Sequence, residues 1–162
     1  KPIGNGFPLG AVVTTRAIAD SFAGGMEYFN TFGGNPVSCA AGLAVLDVIR
    51  DEKLQENART VGEYLKTGLM SLPKECLFLG DVRGMGLFLG LEFVTNPVKK
   101  TPDAARAGYV VERMKEEGIL LSTDGPDHNV VKFKPPLVFS KPNADLFLSK
   151  LEDILKEDVF HY

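Results

Sequence analysis

Two short segments of the sequence carry residue types that could do chemistry together. Lys1 begins a loop of glycines and prolines, Lys1–Gly10, that leads into an apolar stretch. Further along, Asn30–Pro36 places a hydroxyl and two glycines directly before a predicted helix. A lysine held in a fixed loop suits a Schiff base, and a helix start with free N–H groups suits a phosphate. Together the two segments indicate a site for pyridoxal phosphate (PLP).

Composition excludes several other classes of function. With 162 residues, 44% hydrophobic and 24% charged, the chain can bury a core. A net charge of −3 gives no basic face for nucleic acid, and no apolar run is long enough to span a membrane. Cys39 and Cys76 lack metal-type spacing, so no metal site is predicted and a buried free thiol is expected at Cys39. We expect an intracellular protein, in the cytoplasm or the mitochondrial matrix.

The apolar pattern of the first third of the chain predicts a strand and two helices. Leu9–Thr14 is bounded by polar and glycine residues and is predicted to be a short buried strand. A short helix is expected over Thr15–Phe22. Asn35 and Pro36 are typical of a helix start, and the helix that follows is apolar nearly all round, so we expect it to be buried.

The rest of the chain is predicted to form a small layered domain. An amphipathic helix is expected from Asp51, and the change from apolar to amphipathic character places a domain boundary between about residues 50 and 60. We therefore predict one domain over residues 1–55 and a second, α+β, over 56–162. The expected strands are Gly86–Phe93, Ile119–Ser122 and Val130–Phe133, and the expected helices run from Thr101 to Gly118 and from Ser140 to Glu157.

The segment Lys1–Ala11 resembles the lysine segment of the class III, fold-type I PLP-dependent aminotransferases. The resemblance implies that Lys1 is the catalytic Schiff-base lysine. Asn30–Pro36 is similar to the second signature of that family, in which the threonine hydroxyl binds the PLP phosphate of the partner subunit. The resemblance therefore implies cofactor contacts at Asn30, Thr31 and Phe32 and an active enzyme that is at least a homodimer.

The same resemblance implies the overall fold and an incomplete enzyme. The fold class is expected to be α/β: the C-terminal part of a PLP-dependent transferase large domain, followed by a small α+β domain. The chain is expected to be a fragment of a longer protein and inactive alone. A non-catalytic piece that serves only in dimer contacts is the alternative.

Lys132 marks a departure from the aminotransferase pattern. Val130–Leu137 is similar to a family strand in which many aminotransferases carry an arginine that binds a substrate carboxylate with two parallel hydrogen bonds. Lysine supplies a point charge instead of that fork. Lys132 and Lys134 share one face of the predicted strand, so they form either a solvated pair or an anion-binding site. Arg83, in an Arg-Gly-x-Gly-Leu segment of the family, is a weaker candidate for substrate binding.

One subgroup of the family suits this departure, the phospho-lyases that act on O-phosphoethanolamine or 5-phosphohydroxylysine. Three segments resemble it: Gly25–Phe32, Leu121–Pro126 and Lys132–Pro136. The function implied is release of phosphate and ammonia from a small phosphorylated amine. The alternative is a true transaminase, of the ω-amino acid or alanine–glyoxylate type, that moves an amino group to a keto acid.

Overall fold

The computed structural model describes residues 3–25, 27–72 and 78–160, and the chain divides into two compact units. The first unit ends at Lys53 and the second begins at Leu54. Lys1, the predicted catalytic residue, lies outside the described residues, and so does Cys76.

The first unit contains two helices, α1 (Arg16–Ala23) and α2 (Pro36–Asp51). Both confirm predicted helices, with Gly24 at the end of α1 and Asn35 as the N-cap of α2. A tight turn precedes them, in which the Phe7 N–H donates to the Gly4 carbonyl.

Three expectations for the first unit are wrong. Leu9–Thr14 forms no strand, and Val12 and Val13 are almost fully exposed. The physical reason is that a strand needs a hydrogen-bonded neighbour, and the described residues of this unit include no strand to pair with it. Helix α2 is not buried either: Gly42 is its only buried residue, and Cys39 is exposed rather than a buried thiol. An apolar sequence shows that a helix can be buried, but the burial also requires a packing partner.

The second unit is a two-layer α+β structure, as predicted. Its sheet has the strand order β1-β2-β5-β4, with every neighbouring pair antiparallel, and the two-residue strand β3 pairs with β2. The elements are α3 (Leu54–Met70), β1 (Leu79–Met85), β2 (Phe88–Asn96), β3 (Thr101–Pro102), α4 (Ala104–Glu116), β4 (Ser122–Asp124), β5 (Val130–Phe133), α5 (Lys141–Leu155) and a short 3-10 helix, Asp158–Phe160.

The hydrophobic core lies between one face of the sheet and helices α3, α4 and α5. On β2, Leu89, Leu91 and Phe93 are buried in it, which confirms the alternation predicted for this strand. Phe88 is 58% exposed on the opposite face. The residues that pack around these three are Val61, Leu65, Leu69, Ala107, Val110, Met114, Val131, Phe133, Ala144, Phe147, Leu151, Ile154, Leu155 and Phe160.

Several boundaries differ from the prediction for local reasons. Helix α3 begins at Leu54 rather than Asp51, because Lys53 has a positive φ of 52° that no helix accommodates. Thr101–Pro102 forms strand β3, and the helix start belongs to Asp103, whose side chain accepts from the Arg106 N–H. Strand β4 occupies Ser122–Asp124 instead of Ile119–Ser122.

Candidate functional site

The open face of the second unit's sheet carries a row of residues across all four main strands. Arg83 on β1 pairs with Gly90 on β2, Gly90 pairs with Lys132 on β5, and Lys132 pairs with Ser122 on β4. Because Gly90 has no side chain, a hollow remains between the two cations. The cleft there measures about 430 Å³ and is lined by Arg83, Gly84, Met85, Phe88, Leu89, Gly90, Asp124, Val130 and Lys132.

Lys132 is held at this cleft by one carboxylate. Its Nζ donates a hydrogen bond to Asp124 Oδ2 at 2.7 Å, and its side chain is 28% exposed. The bond from Lys132 and a second one from the Gly125 N–H lower the pKa of Asp124 below its usual value. Asp124 was not among the candidates from the sequence. It pairs with Val130 and is the diagonal neighbour of Lys132 across β4 and β5, so an acid and a lysine on one face of two neighbouring strands are the signal that could have found it.

Arg83 differs from Lys132 because two carboxylates neutralise it. Its Nη1 donates to Asp81 Oδ2 at 2.9 Å and also to Glu92 Oε2. These two hydrogen bonds raise the pKa of Arg83 further above its usual range. The guanidinium is therefore already engaged within the sheet.

Lys134 follows the end of β5 and is exposed. Its Nζ lies 5.9 Å from the ring centroid of Phe88, within range of a cation–π contact. Among the described residues, no carboxylate lies within ion-pair distance of Lys134. Lys132 and Lys134 thus lie on the same open face, as the strand pattern predicted.

The turn that carries the predicted phosphate-binding threonine is organised by Asn30. The Asn30 Oδ1 accepts hydrogen bonds from the N–H groups of Phe32 and Gly33, each at 3.1 Å. Gly34 follows with a φ of 72°, a conformation that favours glycine. Thr31 stands exposed on this turn, and its hydroxyl bonds to no other residue in the part of the chain that the structure describes.

The start of α2 does not offer the free N–H groups expected from the sequence. The Asn35 Oδ1 accepts from the N–H groups of Val37 and Ser38, at 3.0 and 3.1 Å. The Cys39 N–H donates to the Asn35 carbonyl, and Pro36 has no N–H. The capping side chain uses the donors that a phosphate would need, so this part of the prediction is wrong.

A loop and a glycine shape the other cleft, in the first unit. Asn5 and Gly6 adopt positive φ values of 48° and 99°, which closes the turn after Gly4. Leu9 packs on α2 at Gly42, where an added Cβ would lie 2.5 Å from Leu9 Cδ2. The resulting cleft measures about 1010 Å³ and brings Phe7–Val12 together with Asn30 and Phe32.

The described residues hold neither a metal cluster nor a membrane-spanning helix. No group of three or more His, Cys, Asp or Glu side chains within them could hold a metal ion. None of their helices is both long and apolar enough to cross a bilayer.

Comparison with known proteins identifies the family. The model of the class-III aminotransferases matches residues 1–155, and the chain belongs to that family. It is 50% identical over 157 residues to the alanine–glyoxylate aminotransferase 2-like protein of Drosophila melanogaster, covering 96% of this chain and 32% of that protein. It is 44% identical over 156 residues to ethanolamine-phosphate phospho-lyase homolog 1 of Caenorhabditis elegans, covering 96% of this chain and 33% of that protein.

Solved structures agree with the fold class expected from the sequence. A phospholyase from Arthrobacter, in complex with phosphoethanolamine, is 44% identical, with a TM-score of 0.87 over 96% of this chain and 37% of that one. A PLP-bound amine transaminase from an uncultivated Pseudomonas species is 32% identical, with a TM-score of 0.81 over 94% of this chain and 36% of that one. The chain spans about a third of the length of the curated relatives it matches.

Proposed function

We propose that this chain is part of a PLP-dependent phospho-lyase that releases phosphate and ammonia from a small phosphorylated amine. The observation that carries the proposal is Lys132, a lysine at a cleft on the open face of the sheet. The similar Arthrobacter phospholyase, which was solved with phosphoethanolamine, supports it.

The residues of the first unit fit the cofactor in part. The exposed Thr31 hydroxyl can donate to a phosphate oxygen, and Asn30 fixes the turn that presents it. Asn30 and Phe32 line the same cleft as the loop that follows Lys1. We assign Thr31 to the phosphate of PLP held by a partner subunit and Lys1 to proton transfer. PLP, when bound, supplies the electron sink that allows a proton to leave the carbon next to the amine nitrogen.

Lys132 suits a phosphate for reasons of charge and geometry. A phosphate monoester carries close to two negative charges at neutral pH and offers three acceptor oxygens around one centre. An ammonium with three rotatable N–H donors acts as a point charge and can meet such a group from many directions. We assign the substrate phosphate to Lys132, with the exposed Lys134 adding long-range attraction.

The chemistry that follows requires a leaving group on the neighbouring carbon. Once a proton has been removed, the C–O bond to phosphate breaks and the electron pair leaves with the phosphate. The remaining enamine takes up water and gives ammonia and a carbonyl compound. Lys132 can stabilise the negative charge of the leaving phosphate because its ammonium group lines the cleft.

The test uses the full coding sequence that contains this chain, expressed and saturated with PLP. We expect phosphate release from O-phosphoethanolamine or 5-phosphohydroxylysine, and loss of that release together with the PLP–lysine absorbance in Lys1→Ala. Thr31→Val should keep the absorbance but require more PLP to reach it. Absence of phosphate release from both substrates by a PLP-loaded protein would reject the proposal.

A transaminase is the second candidate, because other close relatives carry that name. The Arabidopsis thaliana alanine–glyoxylate aminotransferase 2 homolog 2 is 51% identical over 152 residues. This function predicts formation of glycine from alanine and glyoxylate with no requirement for a phosphate. The same PLP-loaded protein, given alanine and glyoxylate, distinguishes the two reactions.

We propose further that the two units belong to different domains of the whole enzyme. Residues 1–55 would be the end of the PLP-binding large domain, and residues 56–162 the small domain. The active form would be a homodimer or larger, in the cytoplasm or the mitochondrial matrix; some relatives are named as mitochondrial.

A further inference from the structure

In the ion pair at the proposed anion site, Asp124 can give up its bond to Lys132 at little cost. The Asp124 side chain is 59% exposed, and its Oδ1 accepts the Gly125 N–H at 2.8 Å while Oδ2 accepts from Lys132. The carboxylate therefore keeps one partner and gains water if the lysine turns to another anion. An exposed pair of this kind is worth little on its own, so exchanging it costs little.

We propose that Asp124 sets the affinity of this face for anions by competing with them for Lys132. The inference rests on the proposed function, because it takes Lys132 as the residue that binds the substrate phosphate. An incoming anion must either displace the carboxylate or share the ammonium with it. In both cases it meets a negative charge close by, and the repulsion grows with the charge of the ligand.

The opposite role, in which Asp124 orients Lys132 for its ligand, is disfavoured by the sheet. Lys132 lies on β5, which is paired on both sides, with Gly90 of β2 and Ser122 of β4. The strand therefore fixes where the lysine side chain leaves the backbone without help from the carboxylate. Arg83 shows the contrast: two carboxylates engage it, whereas Lys132 has one to exchange.

The experiment compares Asp124→Asn with Asp127→Asn in the PLP-saturated protein from the full coding sequence. Asparagine keeps the shape and an acceptor for the Gly125 N–H but removes the charge. Asp127 is an exposed acid in the same loop, so its variant is a control for net charge. The probes are methyl phosphate, a dianion above a pH of about 7, and acetate, a monoanion, both titrated by calorimetry.

We expect Asp124→Asn to tighten methyl phosphate binding roughly five- to tenfold and acetate binding roughly threefold or less. Asp127→Asn should change both by less than about twofold. The gain should be clearly smaller when Asp124→Asn is combined with Lys132→Met, because only the repulsion between Asp124 and the anion is then left to remove. Asp124→Ser replaces the asparagine variant if that one does not fold.

Unchanged or weaker methyl phosphate binding in a folded Asp124→Asn protein would overturn the inference. An equal gain on the Lys132→Met background would overturn it too, since the competition would then not be for that lysine. Phosphate release from O-phosphoethanolamine is measured in parallel. Tighter methyl phosphate binding without any phosphate release would reject the lyase reaction and retain the role of Asp124.

Discussion

Cations on the open face of the sheet differ in how completely their charge is neutralised. Among the described residues, Arg83 bonds to Asp81 and Glu92, Lys132 bonds to the single carboxylate of Asp124, and Lys134 contacts the Phe88 ring. Residue type would favour Arg83 as the anion binder, because arginine forms the stronger hydrogen bonds. The neighbours reverse that preference, since an arginine held by two carboxylates has little attraction left for a third anion.

This difference predicts unequal effects of removing each charge. Lys132→Met should weaken methyl phosphate binding about tenfold, because the site loses its principal positive charge. Arg83→Met should weaken it by about twofold or less and should instead lower the midpoint of denaturant unfolding, because Glu92 then loses its partner. Calorimetry measures methyl phosphate binding by both variants, and denaturant titration measures their unfolding midpoints. A loss of binding at Arg83 as large as that at Lys132 would contradict the assignment.

A second carboxylate links helix α4 to the end of α5 and makes stability depend on pH. Glu157 accepts hydrogen bonds from the Arg113 guanidinium at 2.8–3.1 Å and from the Tyr109 hydroxyl. These bonds, first those of Arg113, lower the pKa of Glu157 below its usual value of 4.5. A carboxyl with a lowered folded-state pKa adds stability above its unfolded value and loses it as the pH falls through the folded value.

We therefore expect Glu157→Gln to be less stable than the wild type at pH 7 and the difference to shrink below a pH of about 4.5. Denaturant unfolding of both proteins over a series of pH values measures that difference. Glu152→Gln, on the exposed pair with Lys156, is the matched control and should show a much smaller difference. A constant difference between pH 7 and pH 3 would show that charge is not the cause.

At the scale of the elements, helix α3 approaches the β1–β2 hairpin through two glycines. A Cβ at Gly62 would lie 2.1 Å from the Gly86 carbonyl oxygen, a contact that only backbone movement can relieve. Gly86 has a φ of 55°, which suits the first position of the tight turn between the strands. The close approach lets Val61 and Leu65 reach the sheet and bury fully.

Gly62→Ala should destabilise the chain by about 1–3 kcal/mol, because overpacking exceeds the gain in helix propensity. Gly108→Ala on α4 is the matched control. Apart from the neighbouring backbone of its own helix, no described atom lies within 4 Å of the added Cβ, so this variant should be neutral or stabilise by up to about 1 kcal/mol. Thermal or denaturant unfolding of the two variants gives the comparison. Equal effects would mean that the glycine contact does not limit the packing of α3.

Elements whose packing partners lie within this chain were predictable from the sequence. The burial of an element without such a partner was not. The apolar repeat of α3, the alternation of β2, the strand β5, the helix cap at Asn35 and the helix start at Ser140 were predicted and are observed. Strand β1 was missed because its glycines and charges hide the alternation. The burial predicted for α2 failed because apolar periodicity shows which face can pack, and says nothing about whether a partner is present.

The candidate site also has features that were predictable from the sequence and features that were not. Motif resemblance found the Thr31 turn and Lys132, because both depend on residues adjacent in sequence. It did not find Asp124 or the hollow at Gly90, which depend on the register of strands β2, β4 and β5. Register follows from pairing across the whole sheet, so the neighbours of a charged residue become visible only with the fold.

At the scale of the whole molecule, the two units differ in how much they bury. Every described residue of the core cluster lies between Val61 and Phe160, in the second unit. In the first unit, the described buried residues are Gly4 and Gly42, while apolar side chains such as Leu43 and Leu46 are more than half exposed. Hydrophobic burial is the main source of stability, so the second unit should open far less often than the first.

Limited proteolysis of the 162-residue chain should therefore remove the first unit and leave the second. Trypsin is expected to cut after Arg50 or Lys53, both at the junction, and to leave a product beginning at Asp51 or Leu54. Lys66 and Lys115 lie within helices of the packed unit and should be cut much later, because cleavage there requires that unit to open. Mass spectrometry of a digestion time course identifies the products, and cleavage at all four sites at similar rates would contradict the prediction. In the PLP-saturated protein from the full coding sequence, the junction should resist trypsin, because we propose that the apolar face of α2 then packs against the rest of a large domain.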